Sequence, residues 1–256
     1  MANVPGDELP QHLASFLEAD SRLQGCSIRV RPENGHLALV GEVPHISSKR
    51  IAAALARRAA GEQPVIDRLK LQPSQRLDDA QVRDALTHAL LHQRELHNCT
   101  VRQQDHGRSE LLQEAHDDWP SGEIEIEVED GEITLTGKVI SLSHQRMIEA
   151  LAWRTPGCRN VVDRLQVVPA EDDNDYELID AIRLVLEMDP LVPADQVGIR
   201  SEDGVVTLEG VLAHDEARRI AETDAWSVCG VVEVRNRIEV RTKEPALTAV
   251  ETRSGE

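Results

Sequence analysis

Aromatic side chains are almost missing from this chain: Phe16, Trp119, Trp153, Tyr176 and Trp226 are all it has in 256 residues. Ring stacking therefore cannot build the interior, which falls to Leu, Ile, Val and Ala. Apolar runs are short, and none approaches the ~20 residues that a membrane-crossing helix needs. Cysteine is sparse, with Cys26, Cys99, Cys158 and Cys229 in no CxxC spacing, so neither a disulfide framework nor a zinc site is expected. Lysine is scarce, at four of the 28 basic residues, which weakens any argument from a flexible polybasic tail. The net charge of −18 repels nucleic acid and anionic lipid headgroups unless a local basic patch forms. Catalytic signatures are absent too. There is no Ser-His-Asp order, P-loop, G-x-G-x-x-G or carboxylate pair at a predicted strand end, so a non-enzymatic protein without cofactor or bound metal is expected.

What is present is a spacing repeated three times. The sequences NGHLALVGEV (34–43), DGEITLTGKV (130–139) and DGVVTLEGVL (203–212) share one pattern. The glycines Gly35, Gly41 and Gly61 recur as Gly131, Gly137 and Gly157, and again as Gly204, Gly210 and Gly230, with identical intervals. Repeats of this kind are read before any single residue. Each copy opens on a 3.6-period stripe: Leu13, Phe16 and Leu17; Val82, Ala85, Leu86, Ala89 and Leu90; Ile179, Ile182 and Leu186. An Asx-Gly pair then predicts a two-residue type I′ hairpin. That turn sets Val30, Ile126 and Ile199 opposite Leu39, Leu135 and Leu208. It also sets Ile28, Ile124 and Val197 opposite Gly41, Gly137 and Gly210, where a bulge or a close helix approach is expected.

A second helix follows, with Ile51, Ala52 and Leu55 inward in the first copy, Met147, Ile148 and Leu151 in the second, and Ile220, Ala221 and Val228 in the third. Gly61, Gly157 and Gly230 mark its C-terminal end. The segments VIDRLKL, VVDRLQV and VRNRIEV close each copy as a strand. The expected class is α+β: three tandem α-β-β-α-β modules, each a three-stranded mixed sheet covered on one face by two helices. The boundaries read 7–73, 77–169 and 174–241, with 242–256 as a flexible tail. The second module carries an insert near 97–121 that needs a short helix or a mobile loop of its own.

The Asx-Gly hairpin, the Gly-x5-Gly spacing, the alanine-rich helix and the V-x-[DN]-R-[LI]-x-[LV] strand resemble the BON domain of bacterial osmotically inducible and nodulation proteins. The resemblance implies a binding module linked to osmotic or envelope stress. It further implies a protein or envelope component as partner, phospholipid among them; a self-assembling scaffold and a soluble ion-binding protein are the other readings. The opening MANVPGDELPQHL has no basic or apolar leader region, so the cytoplasm is the expected compartment, although the family is often periplasmic.

Candidate contact residues come from matched positions. Arg50, Arg146 and Arg219 share one helix position, and Arg68, Arg164 and Arg237 one strand position eighteen residues on. Such a pair either clamps a phosphate or carboxylate or forms ion pairs with neighbouring acids, the bland reading in so acidic a chain. Asp67, Asp163 and Asn236 follow the inward parity of the last strand, where local backbone hydrogen bonds are the default. His88, His92, His97, Cys99 and His106 cluster in sequence, but adventitious metal binding outweighs a resident ion. Trp153 and Trp226 occupy one helix position and point away from the sheet-facing stripe. They are read as an exposed contact surface, with packing between repeats as the competing account.

Overall fold

A computed structural model describes residues 9–73, 75–105, 107–116 and 119–241; the expected tail at 242–256 and His106 lie outside the described residues. The first module runs α1 (Leu9–Ala19), β1 (Ser27–Glu33), β2 (His36–Val43), α2 (Ile46–Ala60) and β3 (Val65–Leu71). The second runs α3 (Asp79–Leu91), β4 (Cys99–Asp105), β5 (Arg108–Gln113), β6 (Gly122–Glu129), β7 (Glu132–Val139), α4 (Leu142–Arg154) and β8 (Asn160–Val167). The third runs α5 (Asp175–Glu187), β9 (Val197–Glu202), β10 (Val205–Leu212), α6 (Asp215–Ser227) and β11 (Glu233–Val240). The α+β class holds throughout, and the α-β-β-α-β order holds in the first and third modules and, with two further strands between α3 and β6, in the second.

The hairpins turn where the Asx-Gly pairs stand. Asn34, Asp130 and Asp203 have φ of 49°, 52° and 52°, and the glycines that follow are also positive, as a type I′ turn requires. The register follows: Val30 pairs with Leu39, Ile126 with Leu135 and Ile199 with Leu208. The last strand of each module lies parallel to the middle one, joined by a helical crossover.

Gly41, Gly137 and Gly210 stand opposite the expected partners, but no helix approaches them. A Cβ there would lie 1.8 and 1.9 Å from the carbonyl oxygens of Ser27 and Glu123 on the neighbouring strand, and 2.1 Å from that of Gln196, the last residue of the 3-10 turn Ala194–Gln196 that leads into β9. The close approach is to neighbouring backbone, with φ of 125° to 151°. The later glycines differ among themselves. Gly61 caps α2 directly, whereas α4 and α6 end at Thr155 and Val228, two residues before Gly157 and Gly230.

The insert is neither a helix nor a loop alone. It adds β4 and β5 beside β6, giving a five-stranded sheet ordered β5-β4-β6-β7-β8, next to three-stranded sheets in the other modules. Cys99 and Val101 point inward from β4 and extend the core.

The first helices α3 and α5 carry a device that the repeat did not announce. Asp79, at the start of α3, accepts N–H bonds from Asp130 and Gly131 at 2.9 and 2.8 Å. Asp175, at the start of α5, does the same for Asp203 and Gly204 at 2.9 and 3.1 Å and also accepts from Ser201 Oγ. Each carboxylate fastens a helix to its hairpin turn. These hydrogen bonds, that of Ser201 foremost, hold the Asp175 carboxyl below the usual carboxylate range.

The modules share one core. The crossover helices α2, α4 and α6 gather at the centre, and α5 lies against α4. Every residue of α4 from Arg146 to Trp153 is buried, because the helix packs on its own sheet with one side and on its neighbours with the other. Phe16, expected on the inward stripe of α1, is exposed, leaving Leu13 and Leu17 to make that contact.

Candidate functional site

Two surfaces receive the residues that the repeat singles out, and they behave oppositely. The first is the junction of the crossover helices. Trp153 and Trp226 lie there, 8% and 2% exposed, so the expected exposed contact surface is corrected to packing between modules. The physical reason is that the helix face turned away from its own sheet is turned toward the other modules. Trp153 Nε1 donates to Glu149 Oε1 at 2.9 Å, and Lys49 Nζ sits 5.9 Å from its ring centroid.

Two of the three helix arginines, Arg50 and Arg146, belong to the same junction. Arg50 donates to the carbonyls of Ser227 and Val228 and approaches Glu149 at 3.2 Å. Arg146, 4% exposed, donates from Nε to Cys229 O at 3.0 Å and pairs with Asp173 at 2.6 Å. Two guanidinium groups from two modules thus close the C-terminal end of α6 in the third. That end carries free carbonyls and the negative pole of the helix dipole, so cations there satisfy both. Arg219, the matching residue on α6, cannot reach its own helix end and remains 70% exposed beside Asp215.

Deeper in the same junction, Arg154 bridges Asp189 at 2.5 Å and Asp224 at 3.4 Å. Asp224 is buried, and its Oδ2 has no hydrogen-bond partner. Burial pushes its carboxyl up to about 7; Arg154 opposes this and Asp189 adds to it.

The eighteen-residue spacing does not bring the arginines together. Arg68, Arg164 and Arg237 point to the opposite side of their sheets from Arg50, Arg146 and Arg219. The pairing occurs one residue earlier. Lys49 Nζ reaches Asp67 at 3.0 Å, Gln145 reaches Asp163 at 2.8 Å, and Asn236 donates to Arg218 O at 2.9 Å. Asp67, Asp163 and Asn236 each also accept the N–H two residues on, which is the local satisfaction expected of them. His88 and His92 stack with ring centroids 4.0 Å apart, and no cluster of metal-ligating side chains occurs among the described residues.

The second surface is the outward side of the sheets. In the first module it carries Arg29 and Arg31 on β1, Val40 on β2, and Ile66, Arg68 and Lys70 on β3. Arg68 pairs with Glu33 at 2.5 Å, whereas Arg29 and Arg31 make no ion pair among the described residues. In the second module the outward side of β6 is a ladder of Glu123, Glu125, Glu127 and Glu129. Glu123 faces Arg102 at 3.8 Å, and Glu125 accepts from Gln104 and Ser109, but Glu127 and Glu129 have no partner among the described residues. Arg164 is exposed on this face. In the third module the charges cancel locally, with Arg200 and Arg237 on Glu209 at 3.0 and 3.8 Å and Arg235 on Glu233 at 2.9 Å.

Among the described residues no helix is long and apolar enough to cross a membrane. Comparison with known proteins bears on the family. The chain is 28% identical over 132 residues to osmotically-inducible protein Y of Escherichia coli strain K12, an alignment covering 49% of this chain and 66% of that protein, just under two thirds of its length. A search of solved structures returns CdsD, a structural protein of the type III secretion system of Chlamydia trachomatis, at 14% identity and a TM-score of 0.26, covering 96% of this chain and all of that one. The C-terminal domain of CdsD matches at 12% and 0.24, covering 93% and all respectively. Likeness at those TM-scores carries no argument. The BON domain profile matches residues 7–73, 107–169 and 174–242, most of the chain, and the protein therefore belongs to the BON domain family.

Proposed function

We propose that this is a non-enzymatic binding protein of the osmotic or envelope stress response, which engages its partner through the outward faces of its sheets. One observation carries the reading: of the helix-borne candidates, Arg146, Trp153 and Trp226 are consumed by the module junction and only Arg219 is exposed, beside Asp215, while Arg164 and Arg237 stand on exposed sheet faces. Family membership and the similarity to osmotically-inducible protein Y support the stress connection. The partner is a protein or envelope component. Four free thiols, Cys99 and Cys158 buried among them, favour a reducing compartment, the cytoplasm.

The test has two arms. Deletion of the gene is expected to slow growth in hyperosmotic medium, and the R164S/R237S variant is expected to fail to restore it while keeping the wild-type melting temperature. A thermal-shift panel of ions, nucleotides, lipid headgroups and sugars is expected to show a ligand that raises the melting temperature by mass action. Normal growth of the deletion strain under osmotic stress, with no ligand in the panel, would overturn the reading. Recovery of the full-length product in the osmotic-shock fluid would overturn the compartment.

A further inference from the structure

The outward faces of the first two modules adjoin. Lys70, outward on β3, meets Glu132, outward on β7, at 3.7 Å. Glu42, outward on β2, meets Arg159 at 2.9 Å, and Leu71 N–H donates to Arg159 O at 2.7 Å. The result is one surface with two unlike halves. Among the described residues, one half holds Arg29 and Arg31 without acidic partners and the other holds Glu127 and Glu129 without basic ones. Both pairs are two residues apart on a strand, so their side chains are offset by the same ~6.7 Å. A two-fold rotation brings such halves into register, arginine pair on glutamate pair, twice.

We propose that this bipolar face is a dimer interface with a second copy of the chain, Arg29 and Arg31 of each copy seated on Glu127 and Glu129 of the other. Val40 and Ile66, beside the arginines, supply apolar area to the same contact. The third module takes no part, because its outward charges are already neutralised on their own face. A flat anionic surface suits the patch less well. Any plane broad enough to cover the basic half also meets the glutamates of the other half, and the net charge of −18 opposes its approach. The dimer would cover Arg164, which lies on the same face, so it competes there with the partner of the stress-response reading; self-association is nonetheless measured without any knowledge of that partner.

Sedimentation velocity and light scattering of the full chain over a wide concentration range test it. The expected mass rises to twice that of one chain and stops there. R29S/R31S and E127Q/E129Q are each expected to weaken the dimer roughly tenfold or more. The glutamate variant is the stricter probe, because it lowers the overall repulsion between copies and yet should loosen them. An equimolar mixture of the two variants keeps one of the two contacts and should dimerise more tightly than either alone. R29K/R31K retains the charges and should remain dimeric, with circular dichroism confirming that all variants are folded. A wild-type monomer at every concentration, a dimer indifferent to both neutralisations, or masses that climb beyond two chains would each overturn the proposal. So would a monomer that sediments with phosphatidylglycerol vesicles through Arg29 and Arg31.

Discussion

Asp224 gives the sharpest energetic test. Its carboxyl is 3% exposed on α6, with Oδ1 3.4 Å from Arg154 and Oδ2 unpartnered. Burial pushes the group from 3.8 up to about 7. The folded chain therefore holds this proton more tightly than the unfolded chain does. Its contribution is fully present below the unfolded value and is lost as pH rises through the folded one. A gap of roughly three units, at about 1.4 kcal/mol each, corresponds to roughly 4 kcal/mol of stability lost between about pH 4 and pH 8. Asp224→Asn cannot ionise, so its stability should change less over that window, and near pH 8 it should exceed the wild type by up to that amount. Urea unfolding at a series of pH values, followed by the fluorescence of buried Trp153 and Trp226, measures the difference directly. Other carboxylates titrate in both proteins and cancel in the comparison. Parallel stability curves for wild type and variant would refute the account of the buried junction.

Three further outcomes follow from the geometry. Gly137→Ala places a Cβ 1.9 Å from Glu123 O at a φ of 125°, so thermal melting should show a loss of roughly 3 kcal/mol or more, whereas Gly25→Ala, with open space around it, should cost only about 1 kcal/mol. Trp153→Ala opens a cavity between modules and leaves Glu149 without the indole donor; a loss of about 3–5 kcal/mol in chemical denaturation is expected. Asp175→Asn weakens the clasp between α5 and its hairpin, which hydrogen exchange should report as faster amides at Asp203 and Gly204. Because the Asp175 carboxyl is held low, its contribution is present above the ordinary carboxylate range and is lost as pH falls through the lowered value, the reverse of Asp224.

Local rules account for what was readable in advance. Two-residue turns fix strand register, so Val30 opposite Leu39 and Gly41 opposite Ile28 followed from counting outward from Asn34-Gly35. Contacts between modules have no such rule. A helical wheel placed Trp153 and Trp226 away from their own sheets, but it cannot say whether solvent or another module lies there. The hairpin in the insert left a faint signal, since Thr100, Arg102 and Gln104 alternate with Cys99, Val101 and Gln103 before the turn at Gly107. The clasps leave no mark in the sequence because Asp79 and Asp175 look like ordinary helix-start acids, and their partners lie at least 51 and 26 residues away. The arginine positions were found, but their use was not: strand alternation sends Arg68 and Arg50 to opposite sides, and only the residue before each can meet across the layer.

The grip of Arg50 and Arg146 on the far end of α6 bears on how the molecule comes into being. A ribosome delivers the two gripping modules first and the gripped helix last. Until Ser227, Val228 and Cys229 emerge, Arg50 and Arg146 have Glu149 and Asp173 as their acidic partners but lack the three carbonyls at the helix end. The first two modules already touch through Leu71, Lys70 and Glu42, so the third arrives as the element that completes their junction.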